Sequence, residues 1–218
     1  LCERVDQVLT RTLEDPALCS GGECLDEIML KGLDQRIAGL DATRRARGVV
    51  VVLHQMGSHG PAYYRRSPPA FKSFLPECES NVLQKCPREH LVNTYDNSIV
   101  YTDHLLAGTV RWLQGVARQR PVDTGLLYVS DHGESLGENN LFLHGLPYAI
   151  APKFQTHVPM LSWISPELQA RLALRPDCLR QKAGAPLTHD NLFHSMLGLL
   201  DVNTTLHRPA LDIFAGCR

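Results

Sequence analysis

The chain has 218 residues, of which 44% are hydrophobic and 21% are charged, and this is enough to enclose one substantial core. Its 22 basic and 23 acidic residues give a net charge of −1. No basic block is present, which argues against a nucleic-acid partner. No stretch of about 18 residues lacks Asp, Glu, Lys and Arg, so no segment is predicted to span a bilayer. The residues after Leu1 also lack the pattern of a signal peptide.

The chain contains seven cysteines, one more than a closed set of disulfides can use. Spacing and loop setting are compatible with three pairs: Cys19 with Cys24, Cys78 with Cys86, and Cys178 with Cys217. An oxidising compartment explains this pattern best, and the leftover Cys2 is then expected to pair with sequence upstream of this chain. The alternatives are reduced cysteines in a cytosolic protein and a zinc ribbon. The ribbon is disfavoured because its knuckles use closer cysteine spacing.

The first predicted elements are a helix, a buried strand and a long loop. Apolar residues recur at nearly helical spacing over 27–40, and the charged run at 44–47 then predicts a loop. Residues 49–53 form an uninterrupted apolar run, which is typical of a strand buried on both faces of a parallel sheet. Residues 63–86 are rich in Pro, Ser and charge, so they predict a long surface loop.

The rest of the chain predicts two further strands and two helices. One long amphipathic helix is expected over 91–117, buried strands over 125–130 and 158–164, and a last helix over 190–200 with Thr188 as its N-cap. This order indicates an α/β fold in which helices cover both faces of a sheet. No internal repeat is visible, and the whole chain is interpreted as one domain or the later part of one.

Residues of the types that bind metals follow two of the predicted strands. His59 comes after the first strand, Asp131, His132 and Glu134 come after the second, and His144 follows ten residues later. Functional sites of open α/β sheets form where strands end, and a mixed nitrogen and oxygen ligand set suits zinc. Glycines at 57, 60, 133 and 145 would leave room for substrate or metal beside the backbone.

Each of these residues also has a simpler interpretation. A single histidine among ten is more often a surface or hydrogen-bonded residue than a ligand. Glu134 could be a metal ligand, a hydrogen-bond partner of a ligand, or a turn residue. Composition and spacing therefore leave the metal site open.

Five segments, met in chain order, closely resemble the lipid A phosphoethanolamine transferases, a family that includes the mobile colistin resistance enzymes. The segments are Ser58-His59-Gly60-Pro61, Asn93-Thr94-Tyr95-Asp96-Asn97-Ser98, Tyr128-Val129-Ser130-Asp131-His132-Gly133-Glu134-Ser135, Leu143-His144-Gly145-Leu146-Pro147 and Thr156-His157-Val158-Pro159-Met160. The resemblance extends over the whole chain, and the cysteine loops fall where the family has them.

The resemblance implies an α/β fold of the alkaline-phosphatase or sulfatase type, with a sheet flanked by helices on both faces and without its N-terminal portion. Residues 1–218 would be the C-terminal part of a single periplasmic catalytic domain. A transmembrane domain outside this chain would tether it to the inner membrane of a Gram-negative cell. The protein is expected to be a monomer.

The resemblance also implies zinc-dependent transfer of phosphoethanolamine from phosphatidylethanolamine to a lipid A phosphate through a phosphothreonine-type intermediate. Asp131 and His132 resemble two ligands of the principal zinc. His59 and His144 resemble the pair that contacts the transferred phosphate or holds a second zinc, and Glu134 resembles a residue lining the same site. Such a transfer confers resistance to polymyxin and colistin by lowering the negative charge of lipid A.

The nucleophilic threonine and a further glutamate ligand of the family are expected upstream of this chain, so residues 1–218 alone are expected not to complete the transfer. Two other readings stay open. One is a phosphodiesterase, phosphatase or sulfatase on the same fold, or a transferase to another glycan. The other is a noncatalytic zinc-binding fragment.

Overall fold

The computed structural model describes residues 5–218, so Cys2 and its predicted upstream pairing lie outside the described residues. The described residues form two compact units. The first unit holds the described residues before Val110 together with Glu134–Thr156, and the second holds Val110–Gly133 and His157–Arg218. No helix within residues 5–218 combines the length and the apolar character that a membrane span requires.

Short helices and one long helix account for most of the regular structure. The α-helices of residues 5–218 are α1 (Leu33–Ala38), α2 (Ala42–Arg45), α3 (Arg88–Gln119), α4 (Lys153–Thr156), α5 (Pro166–Arg171), α6 (Pro176–Lys182) and α7 (Asp190–Leu199). The strands are β1 (Cys19–Ser20), β2 (Glu23–Cys24), β3 (Gly125–Val129), β4 (Ser135–Leu136), β5 (Phe142–Leu143) and β6 (Met160–Ile164). Turns of 3₁₀ helix lie between them, including Asp26–Met29, Tyr63–Arg65, Pro69–Phe71 and Leu83–Lys85.

The two helices with the clearest apolar periodicity are confirmed. The helix predicted over 91–117 is α3, which has 32 residues, and the helix predicted over 190–200 is α7. The predicted N-cap of α7 is wrong. His189 occupies that position without a side-chain cap, while the Thr188 backbone N–H donates to Asn191 Oδ1 at 2.8 Å.

The helix predicted over 27–40 is divided into two pieces. A 3₁₀ turn covers Asp26–Met29, and α1 begins only at Leu33. Gly32 separates the two pieces with a φ of +68°, a left-handed conformation that glycine adopts without steric cost. The charged run predicted as a loop begins inside α2, whose first turn is capped because the Asp41 carboxylate accepts the Arg44 N–H.

The strand predicted over 49–53 is wrong, because no strand is assigned to these residues. The side chains of the four valines are exposed, Val52 at 80%. A strand requires a hydrogen-bonded neighbour, and none of the described strands pairs with this run. Apolar composition by itself therefore did not determine the local structure.

The segment 63–86, predicted as a surface loop, is partly core. Its 3₁₀ turns bury Tyr63 and Leu83, and Cys78 is buried as well. These side chains pack with Leu91 of α3 and Leu136 of β4 in one apolar cluster of the first unit.

The remaining two predicted strands exist, but they pair antiparallel with each other. In the register of the second unit, Gly125 of β3 lies opposite Ile164 of β6 and Val129 lies opposite Met160. This ladder is antiparallel rather than parallel, and β3 is only half-buried. All three predicted disulfides are confirmed, with Cα–Cα distances of 4.0 Å, 5.7 Å and 5.5 Å in chain order.

Candidate active site

A short β-hairpin brings Glu134 and His144 together in the first unit. In the register of this hairpin, Ser135 of β4 lies opposite Leu143 of β5, so the residues just outside this pair, Glu134 and His144, emerge at the same end. The side chain of Glu134 is 3% exposed, and its Oε1 lies 3.2 Å from His144 Nδ1. Because a carboxylate only accepts, the proton of this bond belongs to His144 Nδ1.

The same oxygen of Glu134 holds the loop that carries His59. Glu134 Oε1 accepts the Gly60 N–H at 3.2 Å, so one buried carboxylate binds a backbone group and an imidazole that are 84 residues apart in the chain. Glu134 Oε2 is also buried and accepts no hydrogen bond within residues 5–218. The carboxylate is therefore placed to fix the arrangement of its neighbours rather than to meet solvent.

Gly60 is buried where a side chain could not fit. A Cβ at this position would lie 2.4 Å from Leu143 Cδ2 and 2.7 Å from the Tyr63 ring. The prediction that this glycine leaves room for substrate or metal is therefore wrong, because protein side chains fill that space. Burial and the neighbouring Glu134 carboxylate raise the pKa of Tyr63, so its phenol stays neutral beside the acid.

In His59 and His144 the same ring nitrogen, Nδ1, is held by an oxygen acceptor. His59 Nδ1 lies 2.7 Å from the Gly60 carbonyl oxygen, which can only accept, so this nitrogen also carries a proton. In the neutral form of either ring the lone pair then resides on Nε2, as it does in metal-binding histidines whose other nitrogen is held by an acceptor. The two rings meet edge to face, with centroids 4.9 Å apart.

This pair fits a metal ion. Each histidine offers one nitrogen, and the two offered nitrogens lie within 4.8 Å of each other. Two ligands of one tetrahedral zinc stand about 3.4 Å apart, which lies within this upper bound. In the protonated form the same nitrogens would donate hydrogen bonds to a phosphate.

The other predicted ligands, Asp131 and His132, lie in the second unit, on the turn that follows β3. Asp131 Oδ1 accepts the His132 N–H at 3.1 Å, and Ser130 Oγ donates to the His132 carbonyl oxygen at 2.7 Å. His132 Nδ1 donates to the Gly133 carbonyl oxygen at 3.0 Å, which again leaves the lone pair of the neutral ring on Nε2. That nitrogen is 3.9 Å from Asp131 Oδ2, close to the spacing of two ligands on one zinc.

The structure thus groups the predicted residues by unit. His59, Glu134 and His144 come together in the first unit, and Asp131 with His132 forms a local pair in the second. Sequence reasoning missed the backbone N–H of Gly60 and the phenol of Tyr63. A Gly-Pro step directly after His59 was the one available signal for a tightly packed loop there.

Comparison with known proteins identifies the family. The sulfatase family model matches residues 5–202. Phosphoethanolamine transferase EptA of Salmonella typhimurium is 45% identical over the whole chain, and phosphatidylethanolamine transferase Mcr-1 of Escherichia coli is 42% identical over 83% of it. The chain spans 39% of the length of the first relative and 31% of the second.

The fold agrees with the sequence comparison. The soluble domain of lipooligosaccharide phosphoethanolamine transferase A from Neisseria meningitidis matches with a TM-score of 0.91 at 41% identity, covering the whole of this chain and 63% of that domain. This likeness confirms the predicted α/β fold of the sulfatase type. The chain belongs to the sulfatase family, and over its whole length it is similar to phosphoethanolamine transferases.

Proposed function

We propose that these residues form part of an enzyme that transfers phosphoethanolamine from phosphatidylethanolamine to a phosphate of lipid A. The observation that carries this proposal is the buried Glu134 carboxylate, which holds His144 and the His59 loop so that the two imidazole rings meet with centroids 4.9 Å apart. Such a pair suits a transferred phosphoryl group, whose negative charge has to be met by donors or cations. The names of the relatives support the donor and the transferred group.

The donor set of this chain fits zinc, with Asp131 and His132 as the proposed principal ligands and His59 with His144 as phosphate contacts or ligands of a second ion. Zinc bound there would neutralise phosphoryl oxygens and favour ionisation of the attacking hydroxyl. Ligand orientation comes from the protein, because carbonyl or carboxylate oxygens hold the Nδ1 hydrogens of His59, His132 and His144.

Two half-reactions follow from these assignments. A threonine hydroxyl outside residues 1–218 gives its proton to a histidine and attacks the phosphorus of phosphatidylethanolamine. The bond to the glycerol oxygen breaks, and the histidine passes that proton to this oxygen as diacylglycerol leaves. The lipid A phosphate then gives a proton to the histidine and attacks the phosphorus of the phosphoethanolamine-threonine intermediate. The bond to the threonine oxygen breaks, and this oxygen takes the proton from the histidine. His59 and His144 hold the non-bridging oxygens in both steps.

The cellular setting of the proposal is the periplasmic face of the inner membrane of a Gram-negative cell. Three disulfides in the described residues are consistent with an oxidising compartment. Because both proposed substrates are lipids, the proposal includes a membrane anchor outside these residues. It also includes a single catalytic domain and a monomeric enzyme. Adding phosphoethanolamine would lower the negative charge of lipid A and with it the binding of polymyxin and colistin.

The experiment is mass spectrometry of lipid A from cells that express the complete gene product or its His132→Ala variant. The original protein should add one phosphoethanolamine mass, and the variant should add at least about 10³-fold less because a proposed zinc ligand is lost. The purified variant should also hold less zinc by elemental analysis. His90→Gln, a change to a histidine of α3 outside the proposed site, serves as the matched control.

Other outcomes would redirect the assignment. Release of phosphoethanolamine into water without modified lipid A would favour a hydrolase on the same fold. Full transfer and full zinc content in the His132→Ala variant would contradict the proposed ligand. A zinc-loaded protein with no activity on either substrate would favour a noncatalytic zinc-binding role.

A further inference from the structure

Asp26 holds two consecutive backbone amides of the loop that leads to His59. It begins the 3₁₀ turn Asp26–Met29, directly after the hairpin of β1 and β2. Its Oδ1 accepts the Met56 N–H at 2.9 Å, and its Oδ2 accepts the Gly57 N–H at 2.7 Å. Both oxygens are used, so the carboxylate fixes the direction as well as the position of this stretch of backbone.

The amides that Asp26 holds belong to the turn that contains His59. The His59 N–H donates to the Met56 carbonyl oxygen at 3.1 Å, which closes the turn. Gly57 lies inside it with a φ of +53°, in the left-handed region. The peptide group between Met56 and Gly57 therefore links Asp26 to His59, because its N–H donates to Asp26 Oδ2 and its carbonyl oxygen accepts the His59 N–H.

The 3₁₀ turn that contains Asp26 is packed against α3 in the first unit. Ile28 and Met29 of the same 3₁₀ turn are buried against Leu105 of α3. Glu27 Oε2 accepts the Tyr101 hydroxyl at 3.2 Å. Burial and the Glu27 carboxylate raise the pKa of Tyr101, so the phenol keeps the proton that it donates.

A disulfide secures the same support from its other side. Cys19 and Cys24 join β1 to β2 immediately before Asp26, and the Leu25 N–H donates to the Leu18 carbonyl oxygen at 2.8 Å. Asp26, which binds the His59 loop, is thus adjacent to the disulfide-closed hairpin of β1 and β2 and belongs to a turn that packs against α3. These contacts connect the loop that leads to His59, which contains no helix or strand, to regular secondary structure.

We propose that Asp26 is a positioning residue for His59: its carboxylate sets the turn that aims the His59 ring. This inference rests on the proposed function, in which His59 contacts the transferred phosphate. Nothing in the spacing of 26 and 59 identifies such a pair, since 33 residues separate them and Asp26 lies outside the five motif segments quoted above.

The test measures transfer by the complete gene product carrying Asp26→Asn or Asp26→Ala. A small displacement of a group that contacts the reacting phosphate costs up to about 10²-fold, so we expect kcat to fall about 10- to 100-fold with little change in KM. Asp41→Asn is the matched control, because Asp41 also accepts a backbone N–H but from Arg44 in α2. It should keep its activity.

A double-mutant cycle separates positioning from general structural support. If Asp26 acts through His59, Asp26→Ala should cost nothing further in a His59→Ala background. An equal loss in both backgrounds would overturn the proposal. If Asp26→Ala does not fold, the nearly isosteric Asp26→Asn takes its place in the cycle.

Hydrogen exchange keeps the two proposals distinguishable. The amides of Met56 and Gly57 should exchange at least about 10-fold faster in Asp26→Asn, with the amides of α3 unchanged. Unchanged exchange at these amides would overturn the role of Asp26. Full activity of His59→Ala would instead contradict the proposed function of His59, while the exchange result would still report on the Asp26 contact.

Discussion

The two groups of candidate site residues are held by different kinds of interaction. In the first unit, Glu134 is 3% exposed and connects residues far apart in sequence. In the second unit, the Asp131 side chain is 84% exposed, and most of the bonds that shape its turn stay within a few residues. The exceptions are two bonds of Ser130, whose N–H donates to the Pro159 carbonyl oxygen and whose carbonyl oxygen contacts His189. The first group therefore depends on tertiary packing, and the second depends mainly on a local turn at the end of β3.

The largest expected difference between the two groups comes from removing their carboxylates. Glu134→Ala leaves the buried Gly60 N–H and His144 Nδ1–H without an acceptor, so the free energy of unfolding should fall by about 2–4 kcal/mol. Asp131→Ala removes an exposed carboxylate and should change it by less than about 0.5 kcal/mol. Urea denaturation of the two variants measures both values. Equal losses would show that the two groups are not held differently.

Gly60 offers a smaller test of the packing in the first unit. Gly60→Ala would push a Cβ into Leu143 and Tyr63, and such overpacking costs about 1–3 kcal/mol. Gly115→Ala is the matched control, because no atom lies within 4 Å of the new Cβ and alanine favours the helix by about 0.5–1 kcal/mol. Urea denaturation should therefore show opposite signs for the two changes. A Gly60→Ala variant as stable as the original would mean that the His59 loop is loosely packed.

The smallest expected effect is a pH dependence that originates in the first unit. Burial and Glu134 raise the pKa of Tyr63 above its usual value, so above about pH 10 the unfolded chain loses this proton while the folded protein keeps it. The contribution of the Tyr63 phenol to the free energy of unfolding is therefore fully present below about pH 10. At higher pH it falls by up to about 1.4 kcal/mol per pH unit. Tyr63→Phe should reduce that slope.

The control for this experiment is Tyr148→Phe, because Tyr148 is 83% exposed. Thermal unfolding followed between pH 9 and pH 11 would compare the two variants. A slope that Tyr63→Phe leaves unchanged would contradict the close approach of the buried phenol and the Glu134 carboxylate.

Much of the fold could be predicted from local patterns, and the failures share a cause. The apolar periodicity of α3 and α7 sufficed because helical hydrogen bonds are made within the segment itself. The apolar run at 49–53 did not suffice, since a strand needs a partner elsewhere in the chain. The prediction of a surface loop over 63–86 failed for a related reason. The composition of this segment is mainly polar, and Tyr63 and Leu83 become buried only by packing with Leu91 of α3.

The candidate site divides in the same way. The identities of His59, Asp131, His132, Glu134 and His144 could be predicted because their residue types and flanking motifs are local properties of the sequence. The choice among the roles of Glu134 could not, since it depends on which groups the folded chain brings to its two oxygens. Asp26 and Gly60 were invisible as site residues for the same reason.

The sequence by itself therefore determined the helices α3 and α7, the two short disulfide loops, the family and the types of residue at the candidate site, because each depends on near neighbours or on recognisable motifs. Only the tertiary structure decided that the buried Glu134 carboxylate orients His144 and the His59 loop. It also decided that the side chains of Leu143 and Tyr63 fill the space where a Cβ of residue 60 would lie, and that Asp26 binds two amides of the same loop. These are contacts between segments tens of residues apart, and their geometry exists only once the chain has packed.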